Sequence, residues 1–147
     1  MNMSTLLSFT TRIEGAYEAM CRPLLAQFQI TQTSFDILMF LSNNPDRYTA
    51  KEISETKNIK ANVVSLHVDR LVKDGCLQRQ SVEGDRRKVR LICTEKAQPI
   101  IDRGRDMQRA FFLSLVDGLT PEDLEGFKCC FQIIAKNADL LQSGKTM

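Results

Sequence analysis

Apolar residues at Leu6, Phe9, Ile13, Tyr17, Met20, Leu24 and Phe28 recur in steps of three and four, the spacing that lines one face of a helix. Pro23 falls inside this run and lacks a backbone donor, so a kink or break is expected there. A second helix follows Thr31 or Thr33, either of which can cap it, with Phe35, Leu38, Met39 and Leu41 on its buried side. The turn-rich segment SNNPDR (42–47) ends it. Thr49 and Glu52 have the spacing of a capping box, which starts a short helix reaching about Thr56. After a turn at Asn58, a further helix runs from Lys60 or Ala61 to Asp74, and Gly75 supplies its left-handed C-terminal cap.

Beyond Gly75 the period changes. Residues 76–81 are short and extended, residues 83–88 (EGDRRK) form a charged turn, and residues 88–93 begin by alternating basic and apolar side chains. Two strands around a Gly-containing loop make a hairpin. Thr94 then caps a long helix carrying Ile100, Ile101, Gly104, Met107 and Phe111 on one face, and Gly118 ends it. The last helix starts at TPED (120–123), with Thr as cap, Pro at the first helical position and acids in the first turn. Phe127, Phe131, Ile134 and Leu141 share one stripe of it. The chain is therefore mainly α, and a helix pair followed by a basic hairpin is a winged helix-turn-helix.

Charge sharpens this picture. The net charge is only +2, yet residues 57–90 hold nine basic against four acidic side chains, while both flanks are slightly acidic. A basic segment between near-neutral flanks is a local surface for a polyanion. A duplex major groove is about 12 Å wide and admits one helix. On the helix near 61–74, Val64, Val68 and Leu71 share the face expected in the core. Asn62, Leu66, Asp69 and Lys73 lie opposite, with Ser65 and Arg70 at the edges. Asn62 and Ser65 are short hydrogen-bonding groups suited to base edges, while Arg70 and Lys73 suit phosphates. Arg86, Arg87, Lys88 and Arg90 crowd the hairpin tip, where Asp85 can hold one guanidinium in a bidentate pair.

The stretch IKANVVSLHVDRLVKDGCLQRQ followed by GDRRKVRLICTEKA resembles the MarR family of bacterial winged-helix regulators. Asp85, Arg87 and Thr94 fit the family's wing signature, with Cys93 in place of the usual Leu and Ala97 in place of the usual Gly. Leu66 stands where many members have Arg. The resemblance implies a transcriptional regulator that binds double-stranded DNA as a homodimer. Lys60, Ala61, Asn62, Ser65, Leu66, Arg70, Lys73, Asp85, Arg86, Arg87 and Lys88 would form the DNA-binding surface. It implies repression relieved by a small amphipathic or phenolic effector, for which Tyr17, Met20, Phe35 and Met39 are candidates. It divides the chain into a winged helix-turn-helix at 31–94 and a helical dimerisation region at 1–30 and 95–147. The residues agree on the last point. A winged helix needs only about 60–70 residues, and the stripe Phe127, Phe131, Ile134 and Leu141 calls for a second chain.

Two alternatives stand beside this reading. The five cysteines invite a thiol-based redox sensor on the same fold, with Cys21, next to Arg22, as the reactive candidate and Cys129 and Cys130 as small core residues. A protein-binding winged-helix module is the other, although it has no need of four basic residues at the wing. Catalysis is not expected, since His67, the only His, has no placed Ser or Cys partner and no phosphate-binding Gly loop is present. One His also excludes a multi-His metal centre, and no cofactor is expected. An odd number of cysteines without CxxC suits reduced thiols in a cytoplasm. No signal peptide is read at the N-terminus, and no apolar run approaches the roughly 18–20 residues that span a bilayer.

Overall fold

A computed structural model describes residues 1–144; the last three residues of the expected dimerisation region lie outside the described residues. Helix α1 spans Met3–Phe28, with Asn2 as its N-cap. It runs through Pro23 as one continuous helix, so the break that Pro23 allowed does not occur. Proline removes only the bond to the Ala19 carbonyl, and Cys21 and Leu24 on either side of it are buried. Packing of that face holds the last turns in register. Gln29, in the left-handed conformation, then stops the helix.

Helix α2 (Gln32–Asn43) starts at Thr31, whose side chain accepts from the Ser34 N–H. It is the most buried element: every residue from Ser34 to Leu41 except Asp36 is buried. It extends through Ser42 and Asn43, so the turn begins later than the polar composition suggests. Helix α3 (Ala50–Lys57) has the capping box between Thr49 and Glu52 and ends at a left-handed Asn58. Helix α4 (Ala61–Lys73) buries Val64, Val68 and Leu71, as its angular pattern requires. Its exit is a Schellman turn. The Gly75 N–H donates to the Val72 carbonyl and the Cys76 N–H to that of Leu71, with Gly75 at φ +79°.

Strands β1 (Leu77–Val82) and β2 (Asp85–Cys93) form an antiparallel hairpin. Pairing runs regularly from Leu77↔Cys93 to Ser81↔Val89, then shifts, so that Val82 faces Asp85. The turn is only Glu83-Gly84, with Gly84 at φ +81°. The expected six-residue turn is thus corrected: Arg86, Arg87 and Lys88 belong to the strand, at the irregularity that sets Val89 and Asp85 against consecutive residues of β1. High charge mimics turn chemistry in sequence, but an exposed strand end tolerates it equally well.

Thr94 precedes a single 3-10 turn (Glu95–Ala97), after which helix α5 spans Gln98–Leu115. Its side chain makes no capping bond to that turn, which corrects the expected role. It donates instead to the Gly75 carbonyl at 2.5 Å. Gly104 on α5 meets α2 closely. A methyl group there would lie 2.5 Å from the Met39 sulfur and 2.8 Å from the Phe35 ring. Helix α6 (Pro121–Gln142) begins with a second capping box, Thr120 with Asp123.

The chain divides into two compact units, 1–111 and 112–147, the division falling within α5. The sequence reading places its boundaries at 30/31 and 94/95 instead. In the first unit, Cys21 and Leu24 of α1 and Ile100 and Ile101 of α5 belong to one core with α2, α4 and the hairpin. The second unit contains α6, which buries none of its residues.

Candidate nucleic-acid interface

The outer face of α4 is open. Lys60, Ala61, Asn62, Ser65, Arg70 and Lys73 are exposed, and Leu66 is 57% exposed. No side chain caps its N-terminus, so the positive end of the helix dipole faces outward beside Asn62. Asp69 lies on the same face, but Arg79 of β1 forms an ion pair with it. Sequence spacing did not reveal this pairing, since it depends on how the hairpin folds back. It removes a negative charge from a surface otherwise suited to an anion.

The back of α4 is tied to α2. Nδ1 of His67 lies 2.9 Å from Oγ of Ser34 and 3.3 Å from Oγ1 of Thr31. His67 thus has a Ser partner after all, correcting the sequence reading. Ser34 is only 1% exposed, however, and the contact bridges two helices. Burial, followed by the nearby Arg70 charge, holds the His67 pKa below its ordinary value.

On the wing, Asp85 does not hold a guanidinium. Its Oδ1 accepts the backbone N–H of Arg87 at 2.9 Å. This is a local side-chain turn, which a carboxylate two residues before an amide makes readily. Among the described residues the ion pairs are Lys51–Glu55 and Arg79–Asp69. Arg86, Arg87, Lys88 and Arg90 are therefore exposed cations with no carboxylate in salt-bridge contact. Tyr48 contributes a contact not anticipated from sequence. The Arg90 guanidinium lies 4.8 Å and the Lys88 ammonium 5.5 Å from its ring centroid.

The four effector candidates occupy different environments. Phe35 and Met39 are closed into the core beneath Gly104. Tyr17 is half-buried, accepts from Nε2 of Gln108 at 2.8 Å and meets Phe111 edge-on at 5.4 Å. Burial pushes its hydroxyl pKa up to about 12. Met20 is exposed. A cavity of about 490 Å³ lies elsewhere, between the start of α2 and the end of α4. Phe28, Ile30, Leu71 and Ile100 form its apolar walls, with Arg70 and Lys96 as cations.

The thiols contradict two expectations. Cys21 is 0% exposed, accepts from Nε2 of Gln32 at 3.5 Å, and has its pKa raised chiefly by burial, so neighbouring Arg22 does not activate it. Cys129 and Cys130 are exposed rather than core residues, because α6 has no covering partner in its own unit. On α6, Phe127, Phe131, Ile134 and Leu141 are all exposed, Phe131 and Ile134 by 60% each. Among the described residues no group of three or more potential metal ligands occurs, and no helix is long and apolar enough to cross a membrane.

Residues 28–88 match the model of the MarR family. The fold is that of several solved regulators. A transcriptional regulator designated PA3341 shares 20% identity at a TM-score of 0.79, with 97% of this chain and 99% of that one covered. A MarR transcriptional regulator from Methanosarcina mazei Go1 shares 17% identity at a TM-score of 0.79, covering 94% and 99%. An organohalide-sensing transcriptional regulator, RdhR, solved in a 2,4-dichlorophenol-bound form, shares 18% identity at a TM-score of 0.68, covering 96% and 84%.

Proposed function

Residues 28–88 match the MarR family model and the fold is that of solved regulators, and from that premise we propose that the chain is a MarR-family, sequence-specific transcriptional regulator that binds a pseudo-palindromic operator as a homodimer. The observation that carries this reading is the set of four exposed wing cations, free of carboxylate partners, beside the open polar face of α4. Helix α4 enters the major groove. Asn62 and Ser65 meet base edges, Leu66 gives an apolar surface to a thymine methyl, and Lys60, Ala61, Arg70 and Lys73 lie along the backbone. The wing lays Arg86, Arg87 and Lys88 on phosphates, with Asp85 fixing the backbone at Arg87. Two-fold symmetry sets the half-sites about one helical turn, roughly 34 Å, apart.

The dimer forms through the helical regions, with Phe127, Phe131, Ile134 and Leu141 of α6 at its seam. Their exposure supports this, since an apolar stripe of that size is a surface awaiting a partner. DNA release is controlled by a small amphipathic effector. Two observations support it: the cavity that joins apolar walls to Arg70, and the phenol-bound state of the organohalide-sensing regulator. No observation favours a redox switch at Cys21, which is buried and whose thiol pKa is raised by that burial.

Arg87→Ala tests the reading. Affinity should fall on operator and random DNA alike. The slope of log affinity against log salt should shrink by about one, because binding then neutralises one phosphate fewer and releases fewer counterions. A wild-type protein whose retention on duplex DNA is indifferent to salt across roughly 50–200 mM would favour the protein-binding alternative.

A further inference from the structure

Tyr48 lies between α2 and α3, outside both α4 and the wing. Its backbone is fixed on both sides. The N–H donates to Oε2 of Glu52 at 2.9 Å, and the carbonyl accepts from the Leu91 N–H at 2.8 Å. The first bond ties it to the cap of α3 and the second to β2. Its half-buried ring packs against the core. Arg90 and Lys88 both stand over that ring, within the roughly 6 Å at which a cation is drawn to an aromatic face. The two are two positions apart on β2, with only Val89 between them, and both reach the same ring. Arg and Lys are the side chains with most rotamer freedom to lose when they are ordered at a contact. A rigid ring beneath both limits that freedom before any contact forms.

We propose that Tyr48 is a positioning residue of the DNA interface, its ring holding Lys88 and Arg90 together so that both cations meet one stretch of phosphate backbone. Arg90 thereby joins the wing residues that face DNA. The inference rests on the DNA-binding reading proposed for α4 and the wing. Tyr48 itself need not touch DNA, and its hydroxyl is dispensable, because the ring face supplies the attraction.

The test uses the full-length protein and a labelled random-sequence duplex, titrated at several salt concentrations. Tyr48→Phe should bind within about twofold of wild type. Tyr48→Leu, which keeps apolar bulk without a π face, should bind about three- to tenfold more weakly, the range that one or two exposed cation–π contacts support. In a Lys88→Gln/Arg90→Gln background, Tyr48→Leu should have no further effect. Nuclear magnetic resonance gives a readout on the unmutated protein: side-chain protons of Lys88 and Arg90 should be shifted upfield by the ring and should move when duplex is added. Tyr48→Leu binding as well as wild type or better, an equal loss in the Gln/Gln background, or unshifted wild-type protons would each overturn the positioning role while DNA binding stands. A wild-type protein that binds no duplex would overturn both.

Discussion

His67 is the residue whose chemistry is most dependent on its surroundings. Its Nδ1 sits against the hydroxyls of Ser34 and Thr31, in a partly buried site near Arg70. Burial and then the Arg70 charge disfavour the imidazolium, so the folded pKa lies below the ordinary 6.5. Between that folded value and 6.5 the unfolded chain binds more protons than the native one. Stability should therefore fall as pH drops through 6.5 and level off below the folded pKa. Thermal melts of wild type and His67→Gln over this window test it; an identical decline in both would assign the effect elsewhere. Glu52 and Asp123, held low by their caps, lose their contributions only in the more acidic carboxylate range. The sequence supplied the single His but not its partner, because Ser34 is thirty-three positions away and meets it only when α2 crosses α4.

At the scale of elements, the link between α4 and the wing is a set of bonds to the carbonyls where α4 ends. Oγ1 of Thr94 donates to the Gly75 carbonyl at 2.5 Å, the Thr94 N–H to that of Cys76 at 3.0 Å, and Nζ of Lys96 to that of Asp74 at 2.6 Å. The residue that follows β2 thus satisfies the exit of α4, locking α4 and the hairpin together. Thr94→Val keeps the β-branched shape and removes one donor. It should cost about 0.5–1.5 kcal/mol, read as a fall in Tm of a few degrees. A Tm unchanged from wild type would show that water replaces the bond without loss. The capping boxes at Thr49 and Thr120 were legible from three-residue spacing alone. The role of Thr94 was not, because its acceptor is nineteen residues away.

For the whole molecule, the distribution of apolar surface is decisive. The first unit contains the buried core, whereas α6 exposes Phe127, Phe131, Ile134 and Leu141. Burying each such side chain contributes about 1.5–3 kcal/mol, and a symmetric dimer uses every one twice. Ile134→Asp would bring two carboxylates into a desolvated seam. Sedimentation should then give a species near 16.7 kDa where wild type gives twice that mass, and operator affinity should fall although every DNA-facing residue is unchanged. A wild-type monomer at micromolar concentration would remove the basis for the symmetric interface.

The amino-acid sequence by itself determined the helices, their order and the buried face of α4, because hydrophobic period, caps and breakers act over a few residues. It also placed the excess of positive charge in the segment that forms α4 and the wing. Only the tertiary structure decided which polar groups met: Asp69 with Arg79, His67 with Ser34, Asp85 with a backbone amide rather than a guanidinium, and Tyr48 with Lys88 and Arg90. It likewise carried α1 through Pro23 and closed Cys21 away from solvent. The physical reason is range. Helix and turn preferences are settled by neighbours in sequence, whereas polar pairing, thiol reactivity and tolerance of a proline depend on burial and partners that long-range packing supplies.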